Sequence, residues 1–201
     1  MTKLFIVGII YAFGLAAHGQ GQINFNNTSA TLISANGVPM PVSGTQQFYF
    51  ALFLAPSTTV DTTGQTALFT DSTFQNVTAY TTNSPTLPGR ITTRVNLDVG
   101  LPLGAPVDFV VRGWSANAGA TWAEALASWN NGTPLVPMFI GTSVIGNNII
   151  PGGGGVPVQF VFGTASHQVP GFNLEFVPEP SNLTIISLGA VGAWLFRRRT
   201  P

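Results

Sequence analysis

The chain has 201 residues, with seven Lys and Arg against seven Asp and Glu, and charged residues make up only 7% of it, far below the roughly 25% of an average soluble domain. Away from Lys3 and Arg197–Arg199 the basic residues are only Arg90, Arg94 and Arg112; they form no stripe for a phosphate backbone, which argues against nucleic acid as a partner. There is no cysteine, which excludes thiol nucleophiles, Cys-ligated zinc and iron–sulfur clusters and leaves the fold to rest on a hydrophobic core rather than on disulfides.

The first segment, MTKLFIVGIIYAFGLAAHGQGQ, places Lys3 ahead of an apolar run from Leu4 to Ala17. That run has signal-peptide length and is short for a membrane span. Ala17 and Gly19 supply the small residues a signal peptidase reads, so residues 1–19 are expected to be a signal peptide cleaved between Gly19 and Gln20.

Residues 20–176 then alternate short apolar or aromatic runs with Gly, Pro, Asn and Ser clusters. Strands are predicted at 22–26, 46–55, 74–82, 90–99, 107–116, 136–144, 156–163 and 172–177. The run QQFYFALFLA at 46–55 is apolar at nearly every position, which predicts burial on both faces. Turns are marked by Pro88-Gly89, by Gly104-Ala105-Pro106 and by the glycines 152–155. Closely spaced strands without regular helices between them predict an all-β domain, an antiparallel β-sandwich of the jelly-roll kind.

One helix interrupts the strands. Thr121-Trp122-Ala123-Glu124 is a capping box, and Trp122, Ala125, Leu126 and Trp129 follow on one helical face. With Asn131-Gly132 as the stop, this predicts a short amphipathic helix over 121–130, lying on the sheet with Trp114 as a packing neighbour.

Little in this domain suggests reactive chemistry. Beyond the signal segment the one histidine is His167, beside Ser166 in a polar loop with no acid partner indicated. Asp98 and Asp108 flank the turn GLPLGAPV and would face each other across a hairpin, where two carboxylates could help hold a calcium ion; without a dense Asp/Asn loop, turn-flanking solubility is the favoured reading. The Gly152–Gly155 run lacks the Lys-Ser/Thr of a phosphate loop. No metal, cofactor or catalytic residue is assigned. Arg94 and Arg112 fall in predicted strands, where burial would demand an acidic partner, with Glu124 and Asp108 the candidates. Trp114, Trp122 and Trp129 are the candidates for a sugar-stacking platform, although their spacing favours core packing.

The last segment, VPEPSNLTIISLGAVGAWLFRRRTP, joins three unlike pieces: Pro178-Glu179-Pro180, an apolar run from Leu183 to Phe196, and Arg197, Arg198 and Arg199. The prolines stop the helix from running back into the domain. The run spans ~21 Å as a helix, less than the hydrocarbon core, with flanking residues and local thinning making up the difference. The arginines resist crossing, so the segment is expected to be a transmembrane anchor with the arginines cytoplasmic and the domain outside.

In motif, spacing and position these 177–201 residues resemble the PEP-CTERM sorting signal of Gram-negative bacteria. The resemblance implies export by the general secretory route and transient anchoring in the inner membrane. It also implies processing near Pro178, Glu179 and Pro180 by an exosortase, a membrane-embedded cysteine transpeptidase-like enzyme, followed by display at the cell surface or release. The stretch VVRGWSANAGATWAEALASWNNGTP is similar to a segment recurring in uncharacterised PEP-CTERM proteins, which implies shared architecture and no known activity. The function expected is therefore that of a non-enzymatic surface or extracellular-matrix protein, with signal peptidase, exosortase and the inner membrane as partners. The alternative is a carbohydrate-binding or adhesive module of the exopolysaccharide matrix of a biofilm.

Overall fold

Two strands buried on both faces organise the domain. In the computed structural model, which describes residues 20–57, 68–130 and 138–177, β4 (Phe48–Pro56) and β7 (Val107–Ser115) run antiparallel over nine residues each, from Phe48 opposite Ser115 to Pro56 opposite Val107. Every residue of β7 is buried. Such two-sided burial is why both segments are apolar throughout rather than alternating. Around this pair stand β5 (Gln75–Thr82) beside β4, and β8 (Met138–Thr142) and β9 (Gly146–Ile149) beside β7. Beyond β8 lies β11 (Asn173–Val177), then β2 (Ser34–Ala35) and β3 (Val38–Pro39), giving the order β3-β2-β11-β8-β7-β4-β5. A second sheet has the order β10-β1-β6, formed by β10 (Gln159–Phe160), β1 (Gln20–Phe25) and β6 (Arg94–Pro102).

The protein is thus mostly β, with antiparallel pairing dominant, as expected. Two pairs are parallel, β1 with β10 and β2 with β11. Both depart from the expected antiparallel pattern. Side chains alternate along β4: Phe48, Phe50 and Leu52 enter a core shared with Ile23 and Phe25 of the second sheet, while Ala51 and Phe53 point to the opposite face.

On that opposite face lies the helix α1 (Trp122–Asn130). The capping box forms as predicted: Thr121 Oγ1 accepts the Glu124 N–H at 3.3 Å, and Glu124 Oε2 accepts the N–H groups of Thr121 at 3.0 Å and Ala120 at 2.7 Å. These bonds hold the Glu124 pKa below its ordinary value. A further orphan donor, the Trp122 N–H, reaches Tyr80 Oη of β5 at 3.3 Å and ties the helix start to the sheet. Ala125 is the helix's buried contact, packed in one cluster with Trp114.

Several elements differ from expectation. Strand β6 begins at Arg94 rather than at residue 90, because Ile91 is engaged in a lone bridge to Asn83. The predicted strand at 156–163 shortens to Gln159–Phe160. The short strands β2 and β3 were not anticipated, although Asn36-Gly37, with φ of 50° and 76°, is the dipeptide a two-residue hairpin turn demands. Strand β9, GNNI, carries no alternation at all. It is set by its partner: a side chain at Gly146 would meet the Phe109 ring at 2.3 Å, and the Asn148 N–H donates to Asp108 Oδ1 at 2.9 Å.

Asp98 and Asp108 do not face each other across a hairpin. The turn between β6 and β7 carries the chain from one sheet to the other, so the two carboxylates belong to different sheets. Two buried asparagines clamp the loops. Asn83 accepts the Phe48 N–H at 2.9 Å and donates to the carbonyls of Pro41 and Gln46 at 2.8 Å. Asn27 does the same for Ile91, Thr31 and Gly89. Among the described residues no helix is long and apolar enough to cross a membrane. The apolar runs at 4–17 and 183–196 and the Asn131-Gly132 stop lie outside those residues.

Candidate functional site

The residues singled out from the sequence fall in three places. The first is the face of β7 under the helix, where Asp108, Arg112 and Trp114 share one side of the strand. Arg112 is fully buried, with its guanidinium 4.4 Å from the Phe53 ring centre and 4.9 Å from that of Trp122. Its terminal nitrogen donates to the main-chain carbonyls of Leu68 and Asp71. The expected carboxylate partners, Glu124 and Asp108, are not used; two aromatic faces and two carbonyls take their place. Burial pushes the Arg112 pKa down to about 10, against the opposing charge of Asp71, so it stays a cation at neutral pH. Arg94, by contrast, is exposed at the start of β6.

The three tryptophans do not make a flat platform. Trp114 is 0% exposed and donates its Nε1–H to the Gly119 carbonyl at 2.9 Å. Its ring is tilted 57° from that of Trp122. Trp122 is half-buried, wedged against Phe53 and Phe69, and Trp129 alone is partly open at 37%. The helical spacing that brings them together serves packing between helix and sheet.

Asp108 is 1% exposed. Its Oδ1 accepts the Asn148 N–H, and its Oδ2 is buried without a partner. Burial raises its pKa above the ordinary 3.8, against the lowering effect of that N–H. A raised carboxyl pKa means that the proton favours the folded state, so ionisation at neutral pH works against folding. Asp108→Asn keeps an acceptor for the Asn148 N–H and removes the buried charge, and is expected to stabilise the domain near neutral pH. The gain should shrink as pH falls through the carboxylate range, where Asp108 is itself protonated, and urea unfolding of both chains across that range measures it.

The second place is the loop carrying Ser166 and His167, joined by a lone bridge between Phe162 and Val169. His167 is half-buried, Ser166 is exposed, and no carboxylate of the described residues hydrogen-bonds to His167. Nor do the described residues bring three His, Asp or Glu together. A cleft of about 510 Å³ opens elsewhere, beside the ends of β4 and β6, lined by apolar residues such as Leu54, Val99, Leu101 and Val107 together with Thr73 and Gln75. None of its described lining residues titrates.

The third place is the end of β11. Glu175, Phe176 and Val177 pair with Ile140, Phe139 and Met138 of β8. The Phe176 ring packs 5.3 Å from that of Phe139, and the Phe176 N–H donates to Asn36 Oδ1 at 3.2 Å. Pro178, Glu179, Pro180 and Arg197–Arg199 follow in sequence and lie outside the described residues, as does Gly19; Gln20 is the first residue of β1. The strand predicted at 172–177 from the apolar alternation of FNLEFV is present as Asn173–Val177, immediately before the Pro-Glu-Pro. No protein-family model, curated protein or solved structure matches the chain.

Proposed function

We propose that this chain is an exported surface or extracellular-matrix protein without catalytic activity of its own, sorted through residues 177–201. The carrying observation is the order Val177-Pro178-Glu179-Pro180-Ser181, apolar Leu183–Phe196, Arg197-Arg198-Arg199. Each piece has a physical task. The arginines resist translocation, the apolar run stays in the inner membrane, and the prolines keep the motif extended and outside for an exosortase. A signal segment ahead of Gln20 supplies the export this order requires. On this reading residues 20–176 form a β-sandwich of the jelly-roll kind, a fold in keeping with the core shared by Ile23, Phe25, Phe50 and Phe109 across the two sheets.

The test is removal of residues 178–201 in a Gram-negative host that carries an exosortase. Because β11 ends at Val177, every described strand pair survives the truncation. The shortened protein is expected to leave the membrane and surface fractions for the soluble extracytoplasmic one, with its thermal unfolding unchanged. Fractionation identical to that of the full chain would overturn the sorting reading.

A further inference from the structure

The fold leaves no slack before the Pro-Glu-Pro. Val177 is still paired with Met138, and the next residue is Pro178. The strand that ends there is interior to its sheet, with β8 on one side and β2 on the other. Its tip is tied on both sides as well: the Phe176 N–H reaches Asn36 Oδ1, the Asn36 N–H returns to the Leu174 carbonyl at 2.9 Å, and the Phe176 ring rests on Phe139.

An enzyme that cleaves a peptide chain grips residues on both sides of the bond in extended form, using their main-chain groups and alternate side chains. Upstream of Pro178 those main-chain groups are already committed, to β8 on one side and to Asn36 on the other. We infer that the folded domain latches its own processing motif: an exosortase gains Pro178-Glu179-Pro180 in a productive grip only after Glu175–Val177 have peeled from β8. This inference rests on the sorting reading of the tail.

Burial along β11 sets how far such peeling goes. Leu174 is 0% exposed and belongs to the central core, whereas Phe176 is 42% exposed and Val177 half-buried. Three residues detach as a local opening, and Leu174 stops it from spreading to the rest of the sheet. The latch is then the pairing of 175–177 together with the Phe176–Phe139 contact. Processing runs at the rate of the enzyme multiplied by the fraction of chains open at this tip.

The experiment compares the full chain with two variants in a Gram-negative host that carries an exosortase, following conversion to the shorter form by pulse-chase. One variant has a six-residue Gly-Ser linker between Val177 and Pro178; the other is Phe176→Ala; a third chain combines them. The linker is expected to speed conversion about 5- to 30-fold, the range that one lost latch of ordinary strength sets. Phe176→Ala should speed it less, and should add nothing in the linker chain. Equal rates with and without the linker overturn the latch. So does an acceleration by Phe176→Ala that is as large in the linker chain as in the original, since it would report general destabilisation. Absence of any shortened form from every chain overturns the sorting reading, and the latch with it.

Discussion

Replacing Arg112 with alanine is expected to cost the domain about 2–5 kcal/mol, the range for truncating a long buried side chain to alanine. Three losses combine. The carbonyls of Leu68 and Asp71 lose their donor, the cation between the Phe53 and Trp122 rings disappears, and a gap opens under the helix. Because burial already penalises the charge of Arg112, an apolar side chain of similar length recovers part of the loss. Arg112→Met is therefore expected to unfold at a urea midpoint between those of the original protein and Arg112→Ala. If Arg112→Ala unfolded at the original midpoint, the packing described for this face would be wrong.

Trp114→Ala should be as damaging, about 3–5 kcal/mol, as for other large aromatic side chains truncated in a core. The indole is fully buried and lies near Tyr49, Tyr80 and Trp122, with ring centres 6.3, 5.9 and 5.9 Å away. Its Nε1–H is the donor to Gly119, which holds the turn leading into the capping box. Trp114→Phe keeps much of the ring but drops that bond, and is expected to fall between the two extremes. Since Arg112 and Trp114 both pack on Trp122, the losses at the two positions should not add. The double alanine variant is expected to deviate from their sum by about 0.5–3 kcal/mol, as contacting residues do. Calorimetry on the four chains measures this deviation, and strict additivity would show that Trp122 does not couple them.

What could be read from the sequence follows from how local each cause is. The helix was legible because its capping box and apolar face lie within ten consecutive positions, and the capping bonds form as that pattern requires. Strands β4 and β7 were legible because burial on both faces leaves an unbroken apolar run. Strand β9 was not, since GNNI pairs by virtue of Asp108 and Phe109, about forty positions away. Which strands fall in which sheet was equally hidden: nothing local to GLPLGAPV tells a hairpin from a passage between sheets. Asn27 and Asn83 are buried clamps, a role that the sequence does not announce because it is decided by which carbonyls surround them. Arg112 met rings and carbonyls instead of an acid for the same reason. The strand ahead of the Pro-Glu-Pro was legible in the alternation of FNLEFV, whereas its pairing with β8 is non-local and only the structure supplies it.

The place of β11 also sets when the domain can finish folding. The last strand in sequence fills the gap between β8 and β2, and Ser34 Oγ bonds Asn173 Oδ1 across 139 positions of chain. A chain emerging from its N-terminus makes Ser34 early and must keep that site vacant until residue 173 arrives. The loop-closure entropy of so distant a pairing is met before its contacts repay it, which slows folding. Until then the short hairpin of β2 and β3 has little to pair with, and the larger sheet carries an open slot at its middle. Such a chain completes its larger sheet only when its last described strand has been made.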